Sequence, residues 1–137
     1  MLKKIFESFE TGITEEFLEL LLNAMRLAFL FHGGFRKDIE GFHGRYLFRS
    51  RDGKLAVSAV FEDGRMTVKE EAMDETDVTI HFRDAKALRN FLFSPKPDIL
   101  GSILRQDVVV DGNFNYMYKF AYMAKHLQLM ATGRLRQ

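Results

Sequence analysis

The segment from Asp107 to Met130, DVVVDGNFNYMYKFAYMAKHLQLM, constrains the fold more than any other part of the chain. It reads as one strand and one long helix joined at Asp111, Gly112 and Asn113. In the strand, Val108 and Val110 share one face while Asp107, Val109 and Asp111 share the other. Glycine makes the turn cheap, and the Asn113 side chain can cap the helix by accepting an otherwise unpaired backbone N–H. On a helical wheel Asn115, Lys119, Tyr122 and His126 form one narrow stripe, and most of the remaining circumference is apolar. A helix lying on a sheet needs an apolar arc of about 100°. This one exceeds it, which calls for cover on more than one side: a sheet and a second helix, or a sheet and a ligand.

The other end of the chain carries a similar element. Thr14 is placed to begin a helix, with Glu15 and Glu16 in the first turn where the helix dipole favours acids. The helix runs to about Phe31, and Gly33–Gly34 reads as its C-cap. Phe17, Leu18, Leu21, Met25 and Ala28 centre its apolar face, widened by Leu20, Leu27, Phe29 and Phe31. Between the two helices lies strand chemistry. Gly41 to Ser50 alternates, with Phe42, Tyr46 and Phe48 on one face. Arg51-Asp52-Gly53 is a turn, and Lys54 to Glu62 alternates through Leu55, Val57, Ala59 and Phe61. Asp63-Gly64 is a two-residue hairpin signal, returning Met66 and Val68 inward. After an acidic connection, Asp77 to Arg83 is a fourth strand with Val78, Ile80 and Phe82 inside. Asp84 caps a short helix to Phe93 that Pro95 and Pro97 break, and Asp98 to Arg105 forms a second short helix or turn. This order predicts a single α+β domain over residues 1–137, with about five strands in a mainly antiparallel sheet and the helices on one face.

Composition removes several function classes. With no Cys there is no disulfide, thiol nucleophile or Cys-ligated metal. The 20 basic and 19 acidic side chains nearly cancel, which argues against nucleic acid as a partner. Charges interrupt every apolar run, so no transmembrane span is expected, nor does the start at Lys3 and Lys4 resemble a signal peptide; a cytoplasmic location follows as the expectation. His32, His43, His81 and His126 lack metal-ligand spacing. The acids Glu70, Glu71, Asp74, Glu75 and Asp77 lack the ladder of a calcium loop. No serine sits in a nucleophile-elbow context. No catalytic residue, metal or cofactor is therefore expected. What remains is large, adaptable apolar surface, from 14 Phe and 7 Met.

The stretch from Asp77 to Leu127 resembles the sterol carrier protein family, a small lipid-binding domain also fused to some peroxisomal enzymes. The resemblance rests on Asp77-Val78-Thr79-Ile80, the helix from Asp84, the crossover from Pro97 to Leu104, the strand Val108 to Gly112-Asn113 and the helix from Phe114. The upstream meander and first helix suit the same architecture. Three positions depart from the family pattern: Gln106 where the last strand often begins with Gly, Val109 where a polar residue is usual, and the segment Ser94 to Pro97. The resemblance implies a fold enclosing an apolar tunnel for a sterol, fatty acyl chain or prenyl lipid, with no catalysis by the domain. Lined by the apolar faces read above, such a tunnel would draw on Phe17, Leu21, Met25, Met66, Ile80, Phe82, Ile103, Met117, Phe120, Ala121, Ala124 and Leu127.

Two alternatives stay open. The same fold with a filled core would make an accessory or protein-interaction module, for example one presenting a quinone precursor to a partner enzyme. The basic run Arg36, Lys37, Arg45, Arg49, Arg51 and Lys54 reads either as a transient contact with an anionic membrane surface or as an ordinary solvated face. The balanced net charge and the interrupting Asp38, Glu40 and Asp52 weigh toward the solvated face.

Overall fold

A computed structural model describes residues 17–53, 55–93 and 99–131. The long helix α1 (Phe17–Phe31) is followed by a single helical turn α2 (Gly33–Arg36) and a 3-10 turn, Lys37–Ile39. Strands β1 (Gly44–Ser50), β2 (Ala56–Glu62), β3 (Arg65–Lys69) and β4 (Val78–Phe82) come next. Helices α3 (Ala85–Phe93) and α4 (Ile99–Leu104), strand β5 (Val108–Gly112) and helix α5 (Phe114–Ala131) complete the order. The expected helix start at Thr14, the turn residue Lys54 and the breakers Pro95 and Pro97 lie outside the described residues.

The five strands form one sheet in the order β3-β2-β1-β4-β5. Its β1–β2, β2–β3 and β4–β5 pairs are antiparallel and its β1–β4 pair is parallel. The expected α+β class with a mainly antiparallel sheet is therefore correct. The β2–β3 turn is the two-residue hairpin that Asp63-Gly64 announces: Glu62 pairs with Arg65, and both turn residues have positive φ, 53° and 72°. Residues 70–77 return the chain across the outer face of β2 and β1. The Ser58 hydroxyl donates to the Glu71 carbonyl there, and the Arg45 backbone N–H donates to Asp77 Oδ2 at 2.8 Å. This covers Leu47 and Ser58, which are buried although they point away from the core side. The acidic connection is thus a crossover strap.

Tyr46, Phe48, Val57, Ala59, Phe61, Met66, Val78, Ile80, Phe82 and Val108 form the inner face of the sheet. Helices α1, α3 and α5 pack on that face, α1 toward β2 and β3, α5 toward β4 and β5, with α1 touching α5. Asp84 caps α3 as expected, accepting the Ala87 N–H at 2.8 Å, and this bond chiefly holds its carboxyl below the usual carboxylate range.

One local expectation is corrected. Gly33–Gly34 do not cap α1; they open α2, and neither has positive φ. The extended backbone of His32 (φ −122°, ψ 105°) ends α1. Arg36 then folds back, and its guanidinium donates to the carbonyls of Phe29 at 2.7 Å and Leu30 at 2.6 Å. A charged side chain satisfies the terminal carbonyls that a left-handed glycine would otherwise have turned aside.

Candidate functional site

The β5–α5 junction sets the geometry. Gly112 pairs with Val78 at φ +116°, and a Cβ there would lie 2.5 Å from the Asp77 carbonyl oxygen. Only glycine permits this approach. The chain then turns: the Asn113 N–H donates to the same Asp77 oxygen at 3.1 Å, and Asn113 Oδ1 accepts the Asn115 N–H at 2.8 Å. Asn113 is the cap the sequence indicates. This fixes where α5 begins, and with it which residues meet β1.

At that end of α5 lies a cleft of about 350 Å³, lined by Phe42, Asn113, Asn115, Tyr116 and Lys119. Its walls are aromatic: the Phe42 and Tyr116 rings are 5.7 Å apart. Its rim is polar, with both asparagines exposed and Lys119 Nζ 5.4 Å over the Phe42 ring. Gly44 keeps the floor low, since a Cβ there would stand 2.9–3.1 Å from the Phe42, Tyr46 and Tyr116 rings. From the cleft the aromatics continue inward. Tyr46 lies 6.0 Å from Tyr116 and 5.7 Å from Phe120, and Phe120 lies 4.7 Å from Phe48. The Tyr46 hydroxyl donates to the Tyr116 carbonyl at 2.7 Å, and burial pushes its phenol well above the ordinary value. It is a satisfied neutral group and offers no proton near neutral pH.

The residues expected to line an apolar site converge on this layer. Leu21, Met25, Met66, Ile80, Phe82, Met117, Phe120, Ala124 and Leu127 belong to one buried cluster, with Ile103 and Ala121 partly buried against it. Phe17 begins α1, and its side chain lies outside the described residues. Leu21, Met25, Met117, Phe120, Ala124 and Leu127 have no accessible surface, so each touches protein on every side. The open space lies at the Phe42–Tyr116 end. Sequence reasoning did not assign Phe42, Gly44, Asn113, Asn115, Tyr116 and Lys119 to a site. The available signal was Asn115 and Lys119 in one stripe of the helix beside an aromatic at position 116.

Other constellations resolve into structure. His126 Nδ1 lies 2.5 Å from Asp38 Oδ2, and its ring stands edge-on to Phe35, tying α5 to the turn after α1. Arg36, Arg45 and Arg51 from the basic run all donate to backbone carbonyls, those of Phe29 and Leu30, of Glu75, and of Gln106. Among the described residues no group of three or more His, Asp or Glu could hold a metal, and no helix is long and apolar enough to cross a membrane. A second cleft of about 430 Å³ lies between α1 and the β2–β3 turn, edged by Arg26, Arg36, Asp63 and Arg65. Its charged edge suits water better than an apolar ligand.

This arrangement of sheet and helices recurs in solved structures. Sterol carrier protein 2 from Yarrowia lipolytica, in its apo form, superposes with a TM-score of 0.63 at 11% identity, over 85% of this chain and 94% of that one. The chain has the sterol carrier protein fold. The sterol carrier protein domain 2 of Helicoverpa armigera matches with a TM-score of 0.59 at 16% identity, over 91% of this chain and 94% of that one. UbiJ-SCP2, a ubiquinone synthesis protein, matches at 0.61 and 15% identity, over 76% and 85%. The inverting sec-alkylsulfatase Pisa1 from Pseudomonas sp. contains the same fold as one part: 64% of this chain matches only 14% of that chain, with a TM-score of 0.57 and 18% identity. No protein-family model matches the sequence, and no curated protein does either.

Proposed function

We propose that this chain binds and carries an apolar lipid without catalysing a reaction, the polar end of the lipid resting at the Phe42–Tyr116 cleft and its chain entering the layer between sheet and α5. A sterol, a fatty acyl chain and a prenyl chain all suit that description. The observation that carries the reading is the cleft itself, an aromatic throat with an amide and ammonium rim, seated directly on an apolar interior. Its volume, about 350 Å³, falls within the range of small-ligand sites, about 300–1,000 Å³. Burial of the chain supplies the affinity, about 0.8 kcal/mol per CH₂. Met25, Met117 and Met123 line the buried layer, and methionine's unbranched, flexible side chain is suited to repack around an incoming chain.

The test is titration of delipidated protein with a fluorescent fatty-acid or sterol analogue. Saturable binding that unlabelled lipid competes away, and that Phe42→Ala weakens, supports the reading. Folded protein that shows no saturable binding overturns it.

A second reading is favoured by one specific observation, the complete sealing of Met117, Phe120, Ala124 and Leu127. In that reading the core stays filled and the domain is an accessory module, as the fold shared with UbiJ-SCP2 suggests, presenting a quinone precursor to an enzyme. Extraction of the purified, denatured protein separates the two: stoichiometric lipid favours the carrier, and its absence with retained fold favours the module.

A further inference from the structure

Several cations of this fold are taken up by the protein itself. Arg36, Arg45 and Arg51 donate to backbone carbonyls, Arg83 and Arg105 meet Asp107, and Lys125 Nζ donates to Gln128. Lys119 is different. It is half-buried, and its Nζ stands 5.4 Å over the Phe42 ring and 5.9 Å over the Tyr122 ring. Among the described residues it forms no ion pair. None of the residues lining the cleft is acidic, and neither is any residue of α5. Two aromatic faces hold the ammonium at the rim but supply no anion to its N–H donors.

The groups beside it are donors as well. Asn115 lies one turn before Lys119 on the same face of α5. Asn113 Oδ1 is committed to the Asn115 N–H at 2.8 Å, so the group that Asn113 offers a ligand is its Nδ2, a donor. The cleft also sits at the N-terminal end of the 18-residue α5, where the helix dipole favours negative charge. The Phe42 and Tyr116 rings wall this cluster, and apolar walls that displace water strengthen a charge interaction.

We infer that Lys119 selects the cargo of this cleft: a lipid ending in an anionic oxygen head, a carboxylate or a phosphate monoester, in preference to a neutral lipid such as an alcohol or a sterol. The inference rests on the carrier reading and narrows it. Burial of a tail does not distinguish one head from another. Desolvation works against the anion, because taking a charge out of water costs more than taking out a hydroxyl. A cleft without a cation would therefore favour the alcohol. Preference for the anion has to come from the ammonium and the donors beside it, through charge-assisted hydrogen bonds.

The test is calorimetric titration of delipidated full chain with decanoate, decyl phosphate and decanol, which share one tail, near neutral pH where decanoate is ionised. Wild type is expected to hold at least one of the anions about tenfold more tightly than decanol, and the tighter anion names the head. Lys119→Met keeps the apolar stem and should bring that ratio to about one or below. Lys119→Arg keeps the charge and should restore most of it. Arg49→Gln, which removes a cation from the outer face of the sheet, should leave the ratio as in wild type. Thermal unfolding verifies that each variant is folded. Binding of decanol by wild type as tight as that of both anions overturns the inference and leaves the carrier reading intact. An unchanged ratio in folded Lys119→Met also overturns it. So does a fall in Arg49→Gln as large as that in Lys119→Met, which would make the effect one of overall charge. If folded wild type binds none of these amphiphiles, the carrier reading itself fails and the role of Lys119 with it.

Discussion

The two ends of α5 meet the sheet in different ways. At the C-terminal end Ala124 and Leu127 have no accessible surface. At the N-terminal end Tyr116 is half-buried and faces Phe42 across a cleft. Both ends carry apolar residues on the inward side, Tyr116 and Met117 at one and Ala124 and Leu127 at the other, so hydrophobicity alone does not make the difference. What differs is the opposing structure. At the sealed end Ala124 and Leu127 belong to the same buried cluster as Ile80, Phe82 and Val108. The open end faces the start of β1, where Gly44 offers no side chain and Phe42 arrives from the preceding loop. An apolar helix face becomes a site where the opposing sheet ends, and it is core elsewhere.

Substitutions can break that contrast. Phe120→Ala removes a ring with no accessible surface and should cost about 3–5 kcal/mol. Phe42→Ala, at the half-exposed cleft, should cost clearly less while weakening lipid binding more than its stability loss explains. Denaturant unfolding of both beside a lipid titration checks this, and equal stability losses would mean that the cleft is simply core. Ala124→Phe probes the sealed end by overfilling it, and about 1–3 kcal/mol of destabilisation in lipid-free protein is expected. A melting temperature unchanged from wild type would reveal free volume beside Ala124.

Much of the fold was legible along the sequence, and the location of the cleft was not. The Asp63-Gly64 hairpin, the Asn113 and Asp84 caps and the inward strand residues all follow from short-range chemistry, which a single segment carries with it. The parallel pairing of β1 with β4 does not, because it joins strands separated by two others in the chain. Without that register nothing in the sequence sets Phe42 against Tyr116 or Gly44 against both. Gly33–Gly34 misled for a related reason. Glycine is permissive, and α1 ends instead at the extended backbone of His32, with its last carbonyls taken up by the Arg36 guanidinium.

Smaller effects sharpen the account of what holds the frame around the site. Asp84→Ala removes the cap of α3 and should cost about 1 kcal/mol. The carboxyl is held below its usual range in the folded state, first by the Ala87 N–H. Its contribution is therefore present above the ordinary carboxylate range and is lost as pH falls through the lowered folded value. The stability gap between wild type and Asp84→Ala should be constant near neutral pH and close in strong acid; urea titrations across pH measure it. The smallest effect concerns Gln106, which enters β5 with φ +62°. Glycine there would relieve left-handed strain of about 1–2 kcal/mol but add about 0.5–1 kcal/mol of unfolded-state entropy. Gln106→Gly should thus raise stability by no more than about 1.5 kcal/mol, read as a small upward shift in melting temperature.

The central claim, that a lipid enters at the Phe42–Tyr116 cleft, is tested most directly by amide NMR of delipidated protein titrated with a fatty acid carrying a nitroxide near its carboxyl end. The account predicts that the amides of Phe42, Gly44, Asn113 and Asn115 broaden first and saturate with the ligand, while those of the sealed end around Leu127 broaden later. Saturable broadening centred on the Ala124–Leu127 end with the Phe42 and Asn113 amides unaffected, or no selective broadening beyond a free nitroxide control, would contradict it.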